Sequence, residues 1–261
     1  MQIQHLLSMK HPLFQAALAL LRPQGRAESG QYLVESTSFV IQALDAQVVT
    51  TLFCTAAAIE QISPHCDNEM TLYVVGSGLM QKLVGTGYTT DVNAIAVVRK
   101  QEITLEEILE GENKLILACE NIQDPRNVGV LIRTAEAANC AAIILSSDSA
   151  ECYSRAAVRS STGSITRLPV QISSDLVSDL TVAAKNGFSI VAGSAKAPSS
   201  LYDLDTLPTR RVILVGNETT GLTPEAAGVA TQLVRIPMKS GGPSSLNVTV
   251  AAGIMLFHLN H

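Results

Sequence analysis

Hydrophobic and polar residues follow strand-like and helix-like spacings in turn along the first hundred positions. Short apolar runs rich in Val, Leu and Thr are bounded by polar or Gly residues, and the stretches between them repeat apolar residues at helical spacing. This pattern predicts strands at 31–35, 48–55, 71–75 and 94–100, and helices at 12–21, 36–46 and 76–86. The first part of the chain is therefore predicted to be a small α/β layer.

From residue 114 onward, strand patterns and helix patterns again follow one another. The predicted strands are 114–120, 141–147, 166–171, 188–195, 210–218 and 232–238, and the predicted helices are 130–140, 154–163, 175–187, 223–230 and the segment after 245. Such repetition predicts a mainly parallel sheet with its chemistry at the carboxyl ends of the strands. The acidic stretch 101–113 is the predicted boundary between two domains, 1–107 and 108–261.

Composition agrees with this α/β fold class. Aromatic residues make up 4% of the chain and Trp is absent, so a core of Ala, Val, Ile and Leu is expected, as in helix-covered parallel sheets. The chain has five Cys residues with no CxxC pair, which favours reduced thiols and no metal site. Neither a signal peptide nor an apolar stretch of about 20 residues is found, so we expect a cytoplasmic protein without membrane segments.

The net charge of −5 argues against a protein that coats nucleic acid along its whole surface. The charge is unevenly distributed, however. Arg155, Arg159 and Arg167 fall in one short region that has no acidic residue after Glu151. The sequence therefore leaves room for a local basic patch on an otherwise acidic protein.

Three polar, Gly-bearing loops follow predicted strands, and the first spans 120–139. Asn127 can present an amide there, Gly129 is predicted to open the helix, and Arg133 follows among apolar neighbours. An Arg in such surroundings is costly unless its guanidinium meets an anion. A helix-capping Asn with a surface Arg is the alternative explanation.

The second loop, 215–225, places Glu218 between Gly216 and Gly221 directly after an apolar strand. A turn with an incidental Glu explains this loop equally well. The third loop joins the strand at 232–238 to the last helix, with Ser244 or Ser245 as its expected N-cap. A capped helix without any catalytic role is the alternative here.

Familiar signatures of other site classes are absent from the sequence. It contains no GxGxxG after a strand, no P-loop, no HExxH helix and no GxSxG elbow. A Rossmann-type cofactor site, including that of a Rossmann methyltransferase, is therefore unsupported.

Taken in order, the three loops resemble the three motifs of the SpoU family, the TrmH-like RNA 2′-O-ribose methyltransferases of the SPOUT superfamily. Motif 1 is matched by residues 124–137, motif 2 by 214–222, motif 3 by 236–257, and the linker between motifs 1 and 2 by 153–170. Residues 26–36 and 74–86 are similar, more loosely, to the L30e-like substrate-binding domain that many members carry. The resemblance implies a trefoil knot in the C-terminal domain, an arrangement that is very rare among folds.

The resemblance also implies a site, a cofactor and partners. The positions that match the family's catalytic residues are Asn127, Arg133, Glu218, Ser245 and Asn247, with Ser244 a lesser candidate because six residues separate Met238 from Ser245. The positions that match its S-adenosylmethionine contacts are Gly193, Gly216, Ile236, Met238 and Leu246. A homodimer that acts on RNA is expected, with 23S ribosomal RNA the preferred substrate and transfer RNA next.

The implied reaction is an in-line attack of a ribose 2′-hydroxyl on a sulfonium methyl, for which alignment is the main requirement. A guanidinium with a pKa of roughly 12 or more is a poor base, so Arg133 is expected to clamp phosphate and oxyanion instead. The competing hypothesis is a catalytically inactive RNA-binding or scaffold protein on the same fold.

Overall fold

The structure is a computed structural model that describes residues 1–84, 92–111, 114–204 and 208–260. It divides into two compact units. The first comprises Met1–Lys100 and Tyr153–Arg167, and the second comprises Gln101–Cys152 and Leu168–His261.

Twelve strands and eleven α-helices are found among the described residues. The strands are β1 Gln2–Leu6, β2 Gln31–Glu35, β3 Val49–Cys54, β4 Thr71–Val75, β5 Ala94–Arg99, β6 Leu115–Cys119, β7 Ala142–Ser146, β8 Val170–Ser173, β9 Ser189–Gly193, β10 Ser199–Ser200, β11 Arg211–Val215 and β12 Gln232–Arg235. The helices are α1 Pro12–Ala19, α2 Pro23–Ser29, α3 Thr37–Asp45, α4 Ile59–Ile62, α5 Ser77–Val84, α6 Leu105–Leu109, α7 Pro125–Ala137, α8 Arg155–Ser160, α9 Leu176–Lys185, α10 Pro224–Gly228 and α11 Val248–Leu259. None of these helices is long and apolar enough to cross a membrane.

The first unit contains a five-stranded mixed sheet in the order β1-β4-β3-β5-β2. β4 pairs in parallel with both β1 and β3, whereas β5 pairs antiparallel with β3 and β2. Phe14 on α1 packs edge-on against Phe53 of β3, and both side chains are fully buried. This is the small α/β layer that the sequence predicts.

A segment from the middle of the chain, 153–167, packs with this first unit. The carboxylate of Glu35, only 4% exposed, forms a bidentate pair with Arg155, with Nε–Oε1 at 2.5 Å and Nη2–Oε2 at 2.9 Å. Arg159 lies 3.9 Å from the same carboxylate, and Arg167 donates to Gln42 at 2.6 Å. The expected basic patch is therefore partly neutralised, because two of its three guanidinium groups lie within ion-pair distance of the buried Glu35 carboxylate.

The second unit is built on a seven-stranded sheet in the order β10-β12-β9-β11-β6-β7-β8, and every pairing in it is parallel. Every residue of β6 and β7 is buried, as expected for central strands covered by helices on both faces. α11 packs against α7, β9 and β11. The expectation of an α/β fold with a mainly parallel C-terminal sheet is confirmed.

The predicted domain boundary differs from the structural one. The structural boundary falls between Lys100 and Gln101 rather than after residue 107, because α6 buries Leu105, Ile108 and Leu109 in the core of the second unit. The stretch 101–113, predicted as the boundary between the domains, therefore contains a helix with a capping box formed by Thr104 and Glu107. Residues 112–113 of this stretch and 85–86 of the helix predicted at 76–86 lie outside the described residues.

Two helix starts also differ from the prediction. α7 begins at Pro125, not at Gly129, because the Asp124 side chain accepts a hydrogen bond from the Arg126 amide and caps it. α11 is capped by Asn247, whose side chain accepts from the Thr249 amide, and not by Ser244 or Ser245. The strand predicted at 166–171 is found four residues later, at β8.

Candidate functional site

The site lies at the carboxyl ends of β6 and β11, which are neighbours in the parallel sheet. Because both strands end on the same edge, the loop that begins at Glu120 meets the loop that begins at Gly216. The Glu120 amide donates to the Val215 carbonyl at 2.9 Å, and Asn217 Nδ2 donates to the Asn121 carbonyl at 2.8 Å. Backbone and side-chain hydrogen bonds thus join the first two predicted loops.

Glu218 is the centre of this junction. Its carboxylate accepts from the Gln123 amide at 3.2 Å, the Asp124 amide at 3.4 Å and Asn127 Nδ2 at 2.9 Å. Partial burial acts to raise the pKa of Glu218, but these bonds and one from its own backbone amide outweigh burial and hold the pKa below its ordinary value. The side chain is therefore a carboxylate at neutral pH.

Asn127 connects the first loop to the third. It lies in the first turn of α7, and its Oδ1 accepts from Asn247 Nδ2 at 3.4 Å. The Asn247 Oδ1 accepts from the Thr249 amide at 2.9 Å and from the Thr249 hydroxyl at 2.6 Å while it caps α11. The structure thereby brings together Asn127, Glu218 and Asn247, one residue from each predicted loop.

The remaining two predicted catalytic residues are not hydrogen-bonded into this cluster. Arg133 lies on α7 with an exposed side chain, because its apolar sequence neighbours point to other sides of the helix. The expected burial cost of this Arg is therefore wrong. Ser245 is exposed in the loop before α11, as is Ser244. Within the described part of the chain, neither Arg133 nor Ser245 forms a side-chain hydrogen bond or ion pair.

The third loop presents backbone groups that suit a cofactor held through the main chain. Ile236, Met238 and Leu246 are half-buried, and their amides donate to no backbone carbonyl of the described residues. These amides are available to a ligand, so this donor set fits one with several acceptor atoms and an apolar part. The predicted S-adenosylmethionine contacts in this loop are compatible with that geometry.

The two predicted cofactor glycines also have roles within the chain itself. A Cβ at Gly216 would lie 2.5 Å from the Gly221 and Leu222 backbone, and a Cβ at Gly193 would lie 2.8 Å from Met255 Sδ on α11. Gly216 is thus required by the tight turn of the second loop. Gly193 lets the last helix approach the end of β9.

Several polar residues that hold the loops were missed by sequence reasoning. The Glu120 carboxylate, 8% exposed, accepts from the Thr223 amide at 2.8 Å and the Thr223 hydroxyl at 2.6 Å. Asn217 Oδ1 accepts from the amides of Thr219 and Thr220 and shapes the turn. The available signals were Glu120 at the end of the apolar run 115–119, and Asn217 two residues before Thr219. Among the described residues no cluster of three or more metal-ligating side chains occurs.

Comparison with known proteins connects this geometry to a family. A sequence model described as the SpoU rRNA Methylase family matches residues 114–257, more than half of the chain and all three loops. A 23S rRNA (guanosine-2′-O-)-methyltransferase of Xylella fastidiosa is 33% identical over 185 residues, covering 70% of this chain and 71% of the relative. An uncharacterized tRNA/rRNA methyltransferase of Synechocystis is 29% identical over 98% of this chain and 93% of its own length.

Solved structures are similar over almost the whole chain. An AdoMet-bound rRNA methyltransferase from Sinorhizobium meliloti has a TM-score of 0.85 at 26% identity, covering 99% of this chain and 98% of that one. The SpoU methyltransferase AviRb from Streptomyces viridochromogenes, in complex with AdoMet, has a TM-score of 0.84 at 25% identity, covering 96% and 97%. The resemblance seen in the sequence is confirmed, and the chain belongs to the SpoU rRNA methylase family.

Proposed function

We propose that this protein is an S-adenosylmethionine-dependent RNA 2′-O-methyltransferase that acts on 23S ribosomal RNA, with transfer RNA as the second choice. The observation that carries the proposal is the hydrogen-bonded cluster of Asn127, Glu218 and Asn247. It joins one residue from each family motif at a single sheet edge. The named activity of the Xylella fastidiosa relative supports ribosomal RNA as the substrate.

When bound, S-adenosylmethionine would supply an activated methyl group to ribose O2′: the carbon–sulfur bond would break with its electron pair going to sulfur, and the hydroxyl proton would pass to solvent. The protein's own task is to hold and align the reactants. The amides of Ile236, Met238 and Leu246, which donate to no backbone carbonyl of the described residues, would hold the cofactor, with Gly193 and Gly216 allowing close approach.

Arg133 acts as the clamp on the RNA. Its exposed guanidinium has no partner among the described residues and is available to a phosphate and to the developing charge on O2′. By stabilising that charge it lowers the pKa of the hydroxyl, and the proton can then pass to solvent. Ser245 and Asn247 orient the ribose from the third loop.

Glu218 acts as an orienting group rather than a base. A carboxylate that accepts several hydrogen bonds and has a lowered pKa is a weak proton acceptor. Its bond from Asn127 Nδ2 fixes the amide of Asn127, whose Oδ1 in turn faces Asn247. The carboxylate therefore determines the direction in which both amides point.

The assembly that we propose is a cytoplasmic homodimer with a knotted catalytic domain and an L30e-like RNA-binding domain. Val250 and Phe257 lie on the same face of α11, two turns apart, and each is 49% exposed. Two exposed large apolar side chains on one face support contact with a second copy of the chain there. The packing of α11 against α7, β9 and β11 supports a knot that brings the third loop to the site. The mixed sheet of the first unit supports the L30e-like assignment.

A methyl-transfer assay with tritiated S-adenosylmethionine tests the proposal. Wild-type protein and Arg133→Ala are each incubated with 23S ribosomal RNA and with transfer RNA. We expect incorporation into ribosomal RNA by the wild type and loss of that incorporation in Arg133→Ala. Equal incorporation by both proteins would remove Arg133 from the mechanism.

The scaffold alternative is tested by calorimetry with S-adenosylhomocysteine. An enzyme of this kind binds the spent cofactor, whereas a scaffold that has lost its activity need not. Binding by both wild type and Arg133→Ala is expected, because Arg133 lies on α7 and the proposed cofactor contacts lie elsewhere. No binding by the wild type would favour the scaffold.

A further inference from the structure

Residues at the end of β7 and directly after it hold the first loop by hydrogen bonds, although they belong to none of the three motifs. Ser146, 8% exposed, accepts the Asn121 amide on its Oγ at 2.7 Å. Ser149 Oγ accepts the next amide, that of Ile122, at 3.0 Å. Two consecutive amides of the first loop are therefore held by hydroxyl groups at the end of the neighbouring strand.

Asp148 fixes the orientation of the Ser146 hydroxyl. Ser146 Oγ donates to Asp148 Oδ1 at 2.5 Å. A serine hydroxyl has a single proton and two lone pairs, so committing the proton to Asp148 leaves lone pairs for the Asn121 amide. A hydrogen bond to a carboxylate is also stronger than one between neutral groups.

The anchored loop then delivers its next two amides to Glu218. Asn121 is held at a φ of 53°, a left-handed conformation, and Gln123 and Asp124 follow with their amides on the Glu218 carboxylate. Gln123 Nε2 donates back to the Asp148 carbonyl at 3.1 Å. Hydrogen bonds and the backbone of the first loop thus connect Asp148 to Glu218 and Asn127.

We propose that Ser146 and Asp148 are positioning residues for methyl transfer, which act by holding the loop 121–124 so that its amides fix the Glu218 carboxylate. This role rests on the proposed function of the site. Neither residue touches the reactants. Their effect reaches the reaction through Glu218 and the two amide side chains that follow it.

The test compares Asp148→Ala with Asp148→Asn, since Asp148 is exposed and its replacement leaves the core intact. Asn keeps an acceptor oxygen for the Ser146 hydroxyl, whereas Ala removes it. Glu102→Ala, an exposed acid of the same unit, is the matched control. For each protein we measure kcat, the KM for RNA, the KM for S-adenosylmethionine and the hydrogen–deuterium exchange of residues 120–125. Ser146→Ala is measured in the same way as a second variant.

We expect Asp148→Ala and Ser146→Ala to lower kcat about tenfold, the rate equivalent of one charge-assisted hydrogen bond, with both KM values within about twofold of wild type. Asp148→Asn and Glu102→Ala should stay near wild type. Among Asp148→Ala, Asp148→Asn and Glu102→Ala, only Asp148→Ala should show faster hydrogen–deuterium exchange of residues 120–125. A purely structural role would not give this kcat split with rescue by Asn.

Two results would overturn the inference. One is unchanged exchange of residues 120–125 in Asp148→Ala, and the other is an equal loss of kcat in Asp148→Ala and Asp148→Asn. If the wild type itself fails to methylate RNA, the proposed function fails instead. The exchange measurement still decides whether Asp148 anchors the loop.

Discussion

At the residue scale, Glu218 carries the strongest constraint in the site, because its carboxylate is bound by two backbone amides of the first loop and by Asn127. These bonds hold the pKa of Glu218 below its ordinary value despite partial burial. A depressed folded-state pKa means that their contribution is complete above the unfolded value of about 4.3 and is lost as pH falls through the folded value. The site is therefore intact across the whole neutral range.

This sign gives a direct prediction for Glu218. A carboxyl-carbon NMR titration should place its midpoint below about 4.3, the ordinary value for Glu. Glu218→Gln puts an NH₂ group against backbone donors, so kcat should fall at least tenfold while S-adenosylhomocysteine binding stays unchanged. A midpoint near neutrality would instead make Glu218 a general base.

Arg133 offers a contrasting residue, since its exposed side chain has no structural partner among the described residues. Arg133→Ala should change the free energy of unfolding by no more than about 0.5 kcal/mol. Its kcat/KM should fall by about a hundredfold, and Arg133→Lys should lie between, because Lys keeps the charge but not the bidentate geometry. Denaturant unfolding and steady-state kinetics check both. Full activity in Arg133→Ala would contradict the clamp.

At the element scale, the turn of motif 2 depends on one glycine. A Cβ at Gly216 would lie 2.5 Å from the Gly221 and Leu222 backbone, so the turn cannot close around a side chain. Gly216→Ala should therefore cost about 2 kcal/mol of unfolding free energy or more. Gly228 at the end of α10 has open space around it, and Gly228→Ala should be neutral or stabilise by less than about 1 kcal/mol. Equal stability of the two variants would exclude this packing argument.

The start of α11 separates helix stability from chemistry. Asn247 uses Oδ1 to cap the helix and Nδ2 to reach Asn127. Asn247→Ala loses both and should cost about 1 kcal/mol of stability. Asn247→Asp keeps the cap and should retain stability, yet lose activity as Asn247→Ala does. Wild-type kcat in Asn247→Asp would show that the amide donor has no role.

The elements themselves were largely predictable, and the exceptions have physical causes. β1 was missed because it is an edge strand whose residues before Leu6 are all exposed, so it shows no apolar run. The starts of α7 and α11 were placed too late and too early because apolar periodicity does not mark a capped first turn. Asp124-Pro125 was the available signal for α7, and Asn247 two residues before Thr249 was the signal for α11.

At the scale of the whole molecule, the order of the strands determines which loops meet. β6 and β11 are far apart in sequence but adjacent in the sheet, and this adjacency places Glu218 on the first loop. The residues of the three loops could be assigned to a site from the sequence, because the order of the loops matches that of the family's motifs. Their contacts could not be predicted, because hydrogen-bond partners 91 to 120 residues apart leave no local pattern.

The composition of the first unit has the same kind of origin. In the sequence, residues 153–167 fall between β7 and β8 of the parallel sheet, yet they belong to the first unit. The pairing of Glu35 with Arg155, 120 positions away, joins them. Burial raises the pKa of Glu35, and the neighbouring Arg155 and Arg159 act to lower it. The charges of residues 153–167 alone do not reveal this acidic partner.

The position of the transferred methyl group tests the central claim most directly. Ribosomal RNA is incubated with the protein and S-adenosylmethionine carrying a labelled methyl group, digested to nucleosides and analysed by mass spectrometry. The account predicts a labelled 2′-O-methylnucleoside with wild-type protein and a strongly reduced initial rate of its formation with Arg133→Ala. Label on a base instead of the ribose, or the same initial rate of 2′-O-methylnucleoside formation with both proteins, would contradict it.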